Sequence, residues 1–401
     1  MKVRRIFAGT LGVMALASVT VFGGTSSAHV AKVAGAKIAS TCSTSIAVEA
    51  PFATGPATQL GLEQLHFAQL AVAMANKANG TNVTLGKDDT GLNPSLATTR
   101  TNSIIASKAV AAVGPAGSQE VEAVGPLYAK AGMAFISGSA TLPALATSGA
   151  NTTFFRVVPD DNIQGPNDAN YIINHKLAPA GSTILIIDDQ EAYSEGLVAV
   201  MTPLLTAAGF TVNHQSYNGT DTGATLQSDF SSLATSQVTA ATHLVIVPWQ
   251  SAGNAQQFGQ TLQQQGKTVT LFGTDGTDSP GQFIIPGTYV SNFGPDIATS
   301  KSAVDKAIVK GIKKYGAYGA FGVPTWEATT VVMNAISSVC KAGKTPSRSN
   351  VLAAVRKTNI SATGSAMGVP IKFQSDGDLV AKAGYLFHIN SKGTYIEIPD
   401  K

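Results

Sequence analysis

Charge is scarce in this 401-residue chain: 13% of its residues are Asp, Glu, Lys or Arg, against 44% hydrophobic. Its surface must therefore be built mostly of Ser, Thr, Asn, Gln and Gly. Cysteine is scarcer still, with two residues, which excludes a disulfide-dense scaffold. The six histidines are scattered without metal-ligand spacing, so no metal site is expected. After the N-terminal segment, no apolar run reaches the roughly 18 residues of a membrane span, which excludes an integral membrane protein. A basic excess is also missing. The 27 Lys and Arg outnumber the 24 acids by three, and three of the bases (Lys2, Arg4, Arg5) lie in the first 28 residues, which hold no acid. The rest of the chain is neutral, and a nucleic-acid partner loses its electrostatic basis. No G-x-G-x-x-G, P-loop, H-E-x-x-H or G-x-S-x-G appears, so neither a cofactor nor an enzyme has positive support.

What is present begins with a basic start, an apolar run from Ile6 to Phe22 and a small-residue ending at Ala28. That order reads as a secretory signal over residues 1–28, followed by a flexible leader over 29–44. In an exported protein Cys42 and Cys340 suit a disulfide; a lipid anchor on Cys42 is the other reading, although Ala39-Ser40-Thr41 lacks the usual aliphatic residue. The length suggests two domains. Expected strands are Ser45–Phe52, Val83–Asp88, Ala109–Gly114, Met133–Ser137, Phe154–Val158, Ser182–Asp188, Thr211–Tyr217, His243–Trp249 and Thr268–Thr274. Expected helices between them are Leu60–Lys77, Ser118–Ala131, Pro166–His175, Ser194–Ala208 and Ala252–Gln265. Continuous apolar runs such as Ile184–Ile187 and Leu244–Val247 mark strands buried on both faces, as in an α/β parallel sheet. Helical patterns at Ala303–Tyr315, Pro324–Ala342 and Arg348–Lys357 bring no new central strand, so the chain is expected to return and cover its first sheet. The end, Pro370–Phe373, Ala383–Asn390 and Thr394–Pro399, reads as antiparallel.

The candidate functional positions are loops that follow strands, where α/β sheets bind ligands. Four stand out: Val113–Ser118, Ser137–Thr141, Gln190–Gly196 and Phe272–Gly276. Ser118 suits a helix N-cap, and the same free N–H groups attract a carboxylate. Ser139 and Thr141 suit either a turn or an anion. Tyr193 suits a rim, and Asp275 a turn or a cation partner. Asp161-x-x-Gln164 reads as a capping box for the helix at Pro166, and Asp161 is also a candidate ligand contact. Asp188-Asp189 reads as a solvated strand end rather than an acid/base pair.

The order of Ala50-Pro51-Phe52-Ala53-Thr54-Gly55-Pro56, Lys87-Asp88-Asp89, Ala112-Val113-Gly114-Pro115, Gly132–Ser137, Phe155-Arg156-Val157, Gln164-Gly165-Pro166, Tyr193-Ser194-Glu195-Gly196 and Thr325-Trp326-Glu327-Ala328 resembles the periplasmic leucine/isoleucine/valine-binding family. These are type I solute-binding proteins of amino-acid ABC transporters. The resemblance spans about residues 45 to 390. It implies an α/β two-lobed clamp with three crossovers: lobe 1 from 43–156 plus 293–371, and lobe 2 from 157–292 plus 372–401. It implies a zwitterionic amino acid held between the lobes and passed to a permease. Ser118, Ser139 and Thr141 would then hold the α-carboxylate. Asp275 would partner the α-ammonium, and Tyr193 would close over the ligand. Leu60, Ala116, Gly117 and Gln250 depart from the bulkier or aromatic residues usual in the family, which implies a roomier pocket. Trp249 is expected to refill it, with Phe321 as an apolar wall, so the side chain would be branched or larger. The same resemblance implies a monomer that is periplasmic, extracellular or cell-surface associated. Three alternatives stay open: a binder of amides, short acids or aromatic carboxylates; a ligand sensor of the same fold; and a secreted hydrolase using Asp188 or Asp189.

Overall fold

Apolar runs build two sheets, and polar caps and glycines start and stop the helices around them. The computed structural model describes residues 42–53, 55–316, 319–381 and 383–398; the expected secretory signal and the expected leader to residue 41 lie outside them. The first strand, β1 (Ser43–Ala50), already takes in the last two residues expected in the leader. After it come α1 (Thr58–Asn79), β2 (Asn82–Asp89), α2 (Pro94–Ala106), β3 (Ala111–Val113), α3 (Ser118–Lys130), β4 (Ala134–Ser137), α4 (Ala144–Thr147) and β5 (Phe154–Arg156). All five strands pair in parallel, in the order β2-β1-β3-β4-β5. Gly80 ends α1 at φ 64°, a left-handed cap that a residue with Cβ resists. Asn93 starts α2 by accepting from the Ser95 and Leu96 N–H groups at 3.0 Å, with Pro94 in the first turn.

The second half repeats the plan with α5 (Asp161–Asn174), β6 (Thr183–Asp188), α6 (Ala192–Ala207), β7 (Thr211–Ser216), α7 (Gly223–Ser236), β8 (Thr242–Val247), α8 (Ala252–Gln264), β9 (Thr270–Gly273) and β10 (Tyr289–Asn292). Three helices follow, α9 (Ala303–Ile312), α10 (Gly322–Lys341) and α11 (Arg348–Val355), and then β11 (Tyr385–Ile389) and β12 (Tyr395–Ile398). The second sheet has the order β12-β11-β10-β9-β8-β6-β7, with β11 and β12 antiparallel at one edge. Helices α2 and α7 are absent from the expected set. Both are rich in Ser and Thr, and each buries only three residues, so their apolar stripe is thin.

A parallel sheet exposes two apolar faces, and both must be covered. One face of the first sheet (Ile46, Val48, Val113, Ile136) packs with Phe67 of α1, Ile308 of α9, Val332 and Ile336 of α10 and Val351 of α11. The other face (Ala47, Ala112, Phe135, Phe154) takes Ala97 and Ile104 of α2 and Val121 and Val124 of α3. The late helices therefore do return to the first sheet, as their missing strands imply. The chain passes between the sheets three times: at 157–160, after Asn292, and between Leu379 and Tyr385. Arg156 pins this region. It is fully buried, and its Nε lies 2.6 Å from Asp378 Oδ1 while Nη1 donates to the carbonyls of Ala140 (3.3 Å) and Leu142 (2.9 Å). A guanidinium with no exposure needs this degree of pairing.

Cys42, just before β1, is bonded to Cys340 at the end of α10, across a sequence separation of 298. Closing so long a loop restricts the unfolded chain and stabilises the fold by about 2–4 kcal/mol. Reduction, or Cys42→Ser combined with Cys340→Ser, is expected to lower the unfolding free energy by that amount, seen as an earlier urea midpoint. A midpoint that reductant leaves unmoved would show that the bond adds nothing to stability.

Candidate ligand site between the lobes

Loops at the carboxyl ends of both sheets meet. Asp161 N–H donates to the Thr141 carbonyl at 3.0 Å, Ser251 Oγ donates to the Pro56 carbonyl at 3.3 Å, and Gln250 Nε2 lies 3.5 Å from Gln119 Oε1. Each of these contacts joins one lobe to the other.

The first-lobe wall carries hydroxyls and a helix start. Gly117, not Ser118, is the cap of α3, and its N–H is held by Glu120 Oε2 at 2.9 Å. Ser118 is the first helical residue, and its Oγ accepts from Leu142 N–H at 3.2 Å. A glycine caps here because the carboxylate of Glu120 satisfies the N–H that lies outside the helix. Ser139 Oγ donates to the Ala116 carbonyl at 2.8 Å and accepts from Gln64 Nε2 at 2.9 Å. Thr141 is buried, and its hydroxyl has no hydrogen-bond partner among the described residues.

The second-lobe wall carries acids. Asp275 opens a 3-10 turn after β9; its Oδ1 accepts from Tyr193 OH at 2.5 Å and from Gln164 Nε2 at 2.8 Å. Tyr193 OH also lies 2.6 Å from Thr274 Oγ1. The turn is seated by Gly276: a Cβ there would stand 2.2 Å from the Trp249 carbonyl oxygen, so any other residue would push the Asp275 turn off β8. Burial raises the Asp275 carboxyl to about 6, against the pull of the Tyr193 and Gln164 hydrogen bonds. Asp161 is raised further, to about 8, by burial first; the neighbouring Thr141 hydroxyl acts against this, while the charge of Asp275 adds to it. Both Asp161 carboxyl oxygens are buried without a hydrogen-bond partner among the described residues.

Three expectations are corrected here. Helix α5 begins at Asp161 behind Asp160, with Pro166 inside it, and Gln164 reaches Asp275 and Ser291 rather than returning to a cap. A capping box does not form because the amide finds a buried carboxylate across the chain. Trp249 does not refill the pocket. It is fully buried in the second lobe, stacked on Phe230 at 5.4 Å with its Nε1 donating to the Ile187 carbonyl at 2.5 Å. An indole gains more from that aromatic core than from a wet cleft. Asp188 and Asp189 are buried, not solvated. Asp188 accepts from Gln190 N–H and Ser216 Oγ and meets His214 Nε2, while Asp189 holds the N–H groups of Gln250 and Glu191, tying two loops together.

Leu60, Gln250 and Phe321 line one narrow cavity at the seam between the lobes; Ala116 and Gly117 do not line it and lie at the start of α3, where Ala116 accepts from Ser139. The sequence reading misses two further members, Glu63 of α1 and Asp278. Their signal is spacing. Glu63 is three residues after Leu60 on a helix, and Asp278 follows Asp275 by one turn of a 3-10 helix, where i and i+3 eclipse.

The profile of the periplasmic binding protein family matches residues 44–394. The leucine-, isoleucine-, valine-, threonine- and alanine-binding protein of Pseudomonas aeruginosa is 25% identical over 301 residues, which cover 73% of this chain and 76% of that protein. Among solved structures, the branched-chain amino acid transporter substrate-binding protein of Streptococcus pneumoniae, in complex with isoleucine, is similar with a TM-score of 0.74 and 21% identity, covering 89% of this chain and all of that one. A solute-binding protein of R. palustris in complex with benzoate reaches 0.74 at 18% identity, covering 89% and 95%. At such identities the likeness to solved structures is one of fold.

The raised carboxyls give a testable pH dependence. Glu49 (about 8), Glu120 (about 7), Glu327 (about 7), Asp161 (about 8) and Asp275 (about 6) are all pushed up by burial. The folded chain thus keeps protons that the unfolded chain has lost, so stability is present at low pH and lost as pH rises. The ligand-free melting temperature is expected to fall between about pH 5 and pH 8. A rise across that window would show that these carboxyls are solvated or paired with bases.

Proposed function

This chain belongs to the periplasmic binding protein family, and we propose that it is an exported solute-binding protein. On this reading it captures an α-amino acid between its lobes and delivers it to the permease of an ABC transporter, without catalysis and as a monomer. The observation that carries the reading is the pairing of opposite chemistries across the seam. Hydroxyls and a helix start (Ser118, Ser139, Thr141) stand on one lobe, and Asp275, held by Tyr193, stands on the other. A carboxylate is stabilised by neutral donors at a helix start, and an ammonium by a buried anion. The ammonium would also supply the donors that the two Asp161 oxygens lack. Leu60 and Phe321 offer the side chain an apolar wall, in keeping with a branched or larger aliphatic residue. The ligand would favour the closed clamp because contacts to both lobes exist only there. An acid without an ammonium, of the kind bound by the benzoate protein, would bring no donor to the buried Asp161 oxygens.

Thermal shift and calorimetry test this. Amino acids are expected to raise the melting temperature of the mature protein and their deaminated acids are not. Asp275→Asn is expected to weaken binding about 100-fold, or about 2.7 kcal/mol. Binding needs ionised Asp275, so affinity should fall by up to about tenfold per unit as pH drops below about 6. Equal binding by Asp275→Asn, or by the deaminated acids, would sink the amino-acid assignment.

A further inference from the structure

We propose that Gln164 is a positioning residue of the ligand site: its amide holds Asp275 as the acceptor for the ligand's ammonium and ties that carboxyl to the elements where the chain enters and leaves the second lobe. The proposal rests on Asp275 meeting an ammonium and adds how Asp275 is held ready for it. Gln164 lies on α5 and is 4% exposed. Its Nε2 donates to Asp275 Oδ1 at 2.8 Å and to Ser291 Oγ at 3.1 Å. Ser291 Oγ in turn donates to Asp168 Oδ2 at 2.9 Å. Tyr193 OH is the second side-chain donor to Asp275. One buried chain of hydrogen bonds therefore runs from Tyr193 through Asp275, Gln164 and Ser291 to Asp168. It joins α6, the turn after β9, α5 and β10. Helix α5 follows the connection at 157–160, and β10 ends at Asn292, where the next connection leaves.

The direction of the chain is set by the amide. An amide nitrogen donates and does not accept. Because Gln164 offers an N–H to the Ser291 oxygen, the Ser291 hydrogen is left for Asp168. Two side-chain donors thus converge on Asp275, and one reaches Asp168. Donors favour the ionised form of a carboxyl, so of these two acids Asp275 carries the charge and Asp168 the proton. Burial lifts Asp168 well above the usual carboxylate range; the Ser291 hydrogen bond acts against this, and the charge of Asp275 adds to it. Turned the other way, the amide would set Oε1 against the Asp275 carboxylate. As it stands, Oε1 is buried with no hydrogen-bond partner among the described residues. A side chain that only filled this space would do so at lower cost as Met, with no stranded carbonyl. The nitrogen is what the position requires. The titratable groups that act on or are acted on by Asp275 are Asp161 and Asp168 from α5, Asp278 from its own turn and Tyr193 from α6. None of these is a base. Arg156 acts on Asp161 and is itself engaged by Asp378.

The test follows affinity against pH. Mature protein is stripped of endogenous ligand by non-reducing denaturation and refolding, then screened by thermal shift against the twenty amino acids. The one giving the largest shift is titrated by calorimetry from pH 5 to pH 8.5. The parent is expected to lose affinity below about pH 6, where Asp275 takes up a proton. Gln164→Met keeps the volume and removes both donors. It should move that loss upward by about one pH unit, so that it binds within about threefold of the parent at pH 8.5 and about fivefold more weakly at pH 6. Ser291→Ala leaves Gln164 in place but frees its amide to turn, and should move the profile the same way by about half a unit. Circular dichroism checks both variants, and if Gln164→Met does not fold, Ser291→Ala decides. Weakening by the same factor at every pH would mark Gln164 as a packing residue and overturn the proposal. An unmoved pH profile would overturn it too. Both results leave the amino-acid reading standing. Binding by Asp275→Asn as tight as the parent's, or silence towards all twenty amino acids, would overturn the two together.

Discussion

The whole architecture depends on one requirement: a parallel sheet must be covered on both faces. Strand β1 and its neighbours carry apolar residues to each side, and α1, α2 and α3 alone do not cover both. The chain leaves after β5, builds a second sheet, and comes back to lay α9, α10 and α11 on the first. It then departs again to add β11 and β12 to the second sheet. Three connections between lobes follow from that itinerary. Arg156 gathers two of them, with the loop after β4, around a single buried guanidinium.

The cleft inherits its chemistry from the strand ends. On the first lobe the turns near the start of α3 need small residues, and among their hydroxyls that of Thr141 has no hydrogen-bond partner among the described residues. The second lobe ends its strands in carboxyls, and these are costly to bury. Tyr193 and Gln164 compensate Asp275, Asn292 compensates Asp278, and only the neighbouring Thr141 hydroxyl and the charge of Arg156 offset the burial of Asp161. The seam is therefore an electrostatic liability in the closed clamp unless protons or a ligand neutralise it. The proposed clamp would benefit from such a liability, since a closed state too stable by itself would not respond to its ligand.

Much of the fold is legible in the sequence because the strands are buried on both faces. Ile184–Ile187 and Leu244–Val247 admit no other reading once turns bound them. Helices α2 and α7 are not legible, because their Ser and Thr residues blur the period on which recognition rests. At the site, Asp275, Tyr193 and Thr141 stand out by their place after strands and by family resemblance. Trp249 misleads because an aromatic at a strand end fits a core as well as a pocket, and only the stack on Phe230 decides. Glu63 and Asp278 escape notice because an acid on a helix or in a turn ordinarily reads as solvated; both are buried, Glu63 against Gln59 and the Phe321 N–H and Asp278 against Asn292.

The bond between Cys42 and Cys340 also bears on how the molecule is made. Ribosomes deliver the chain from its amino end, so Cys42 and β1 emerge with nearly 300 residues still to come before their partner. The second sheet is encoded mostly within one uninterrupted stretch, β6 to β10, and can assemble while the first still lacks α10. One face of the first sheet must therefore wait, covered only by α1, with an unpaired thiol at its edge. A cell producing this protein would do best to shield that nascent surface, and to supply its oxidant late.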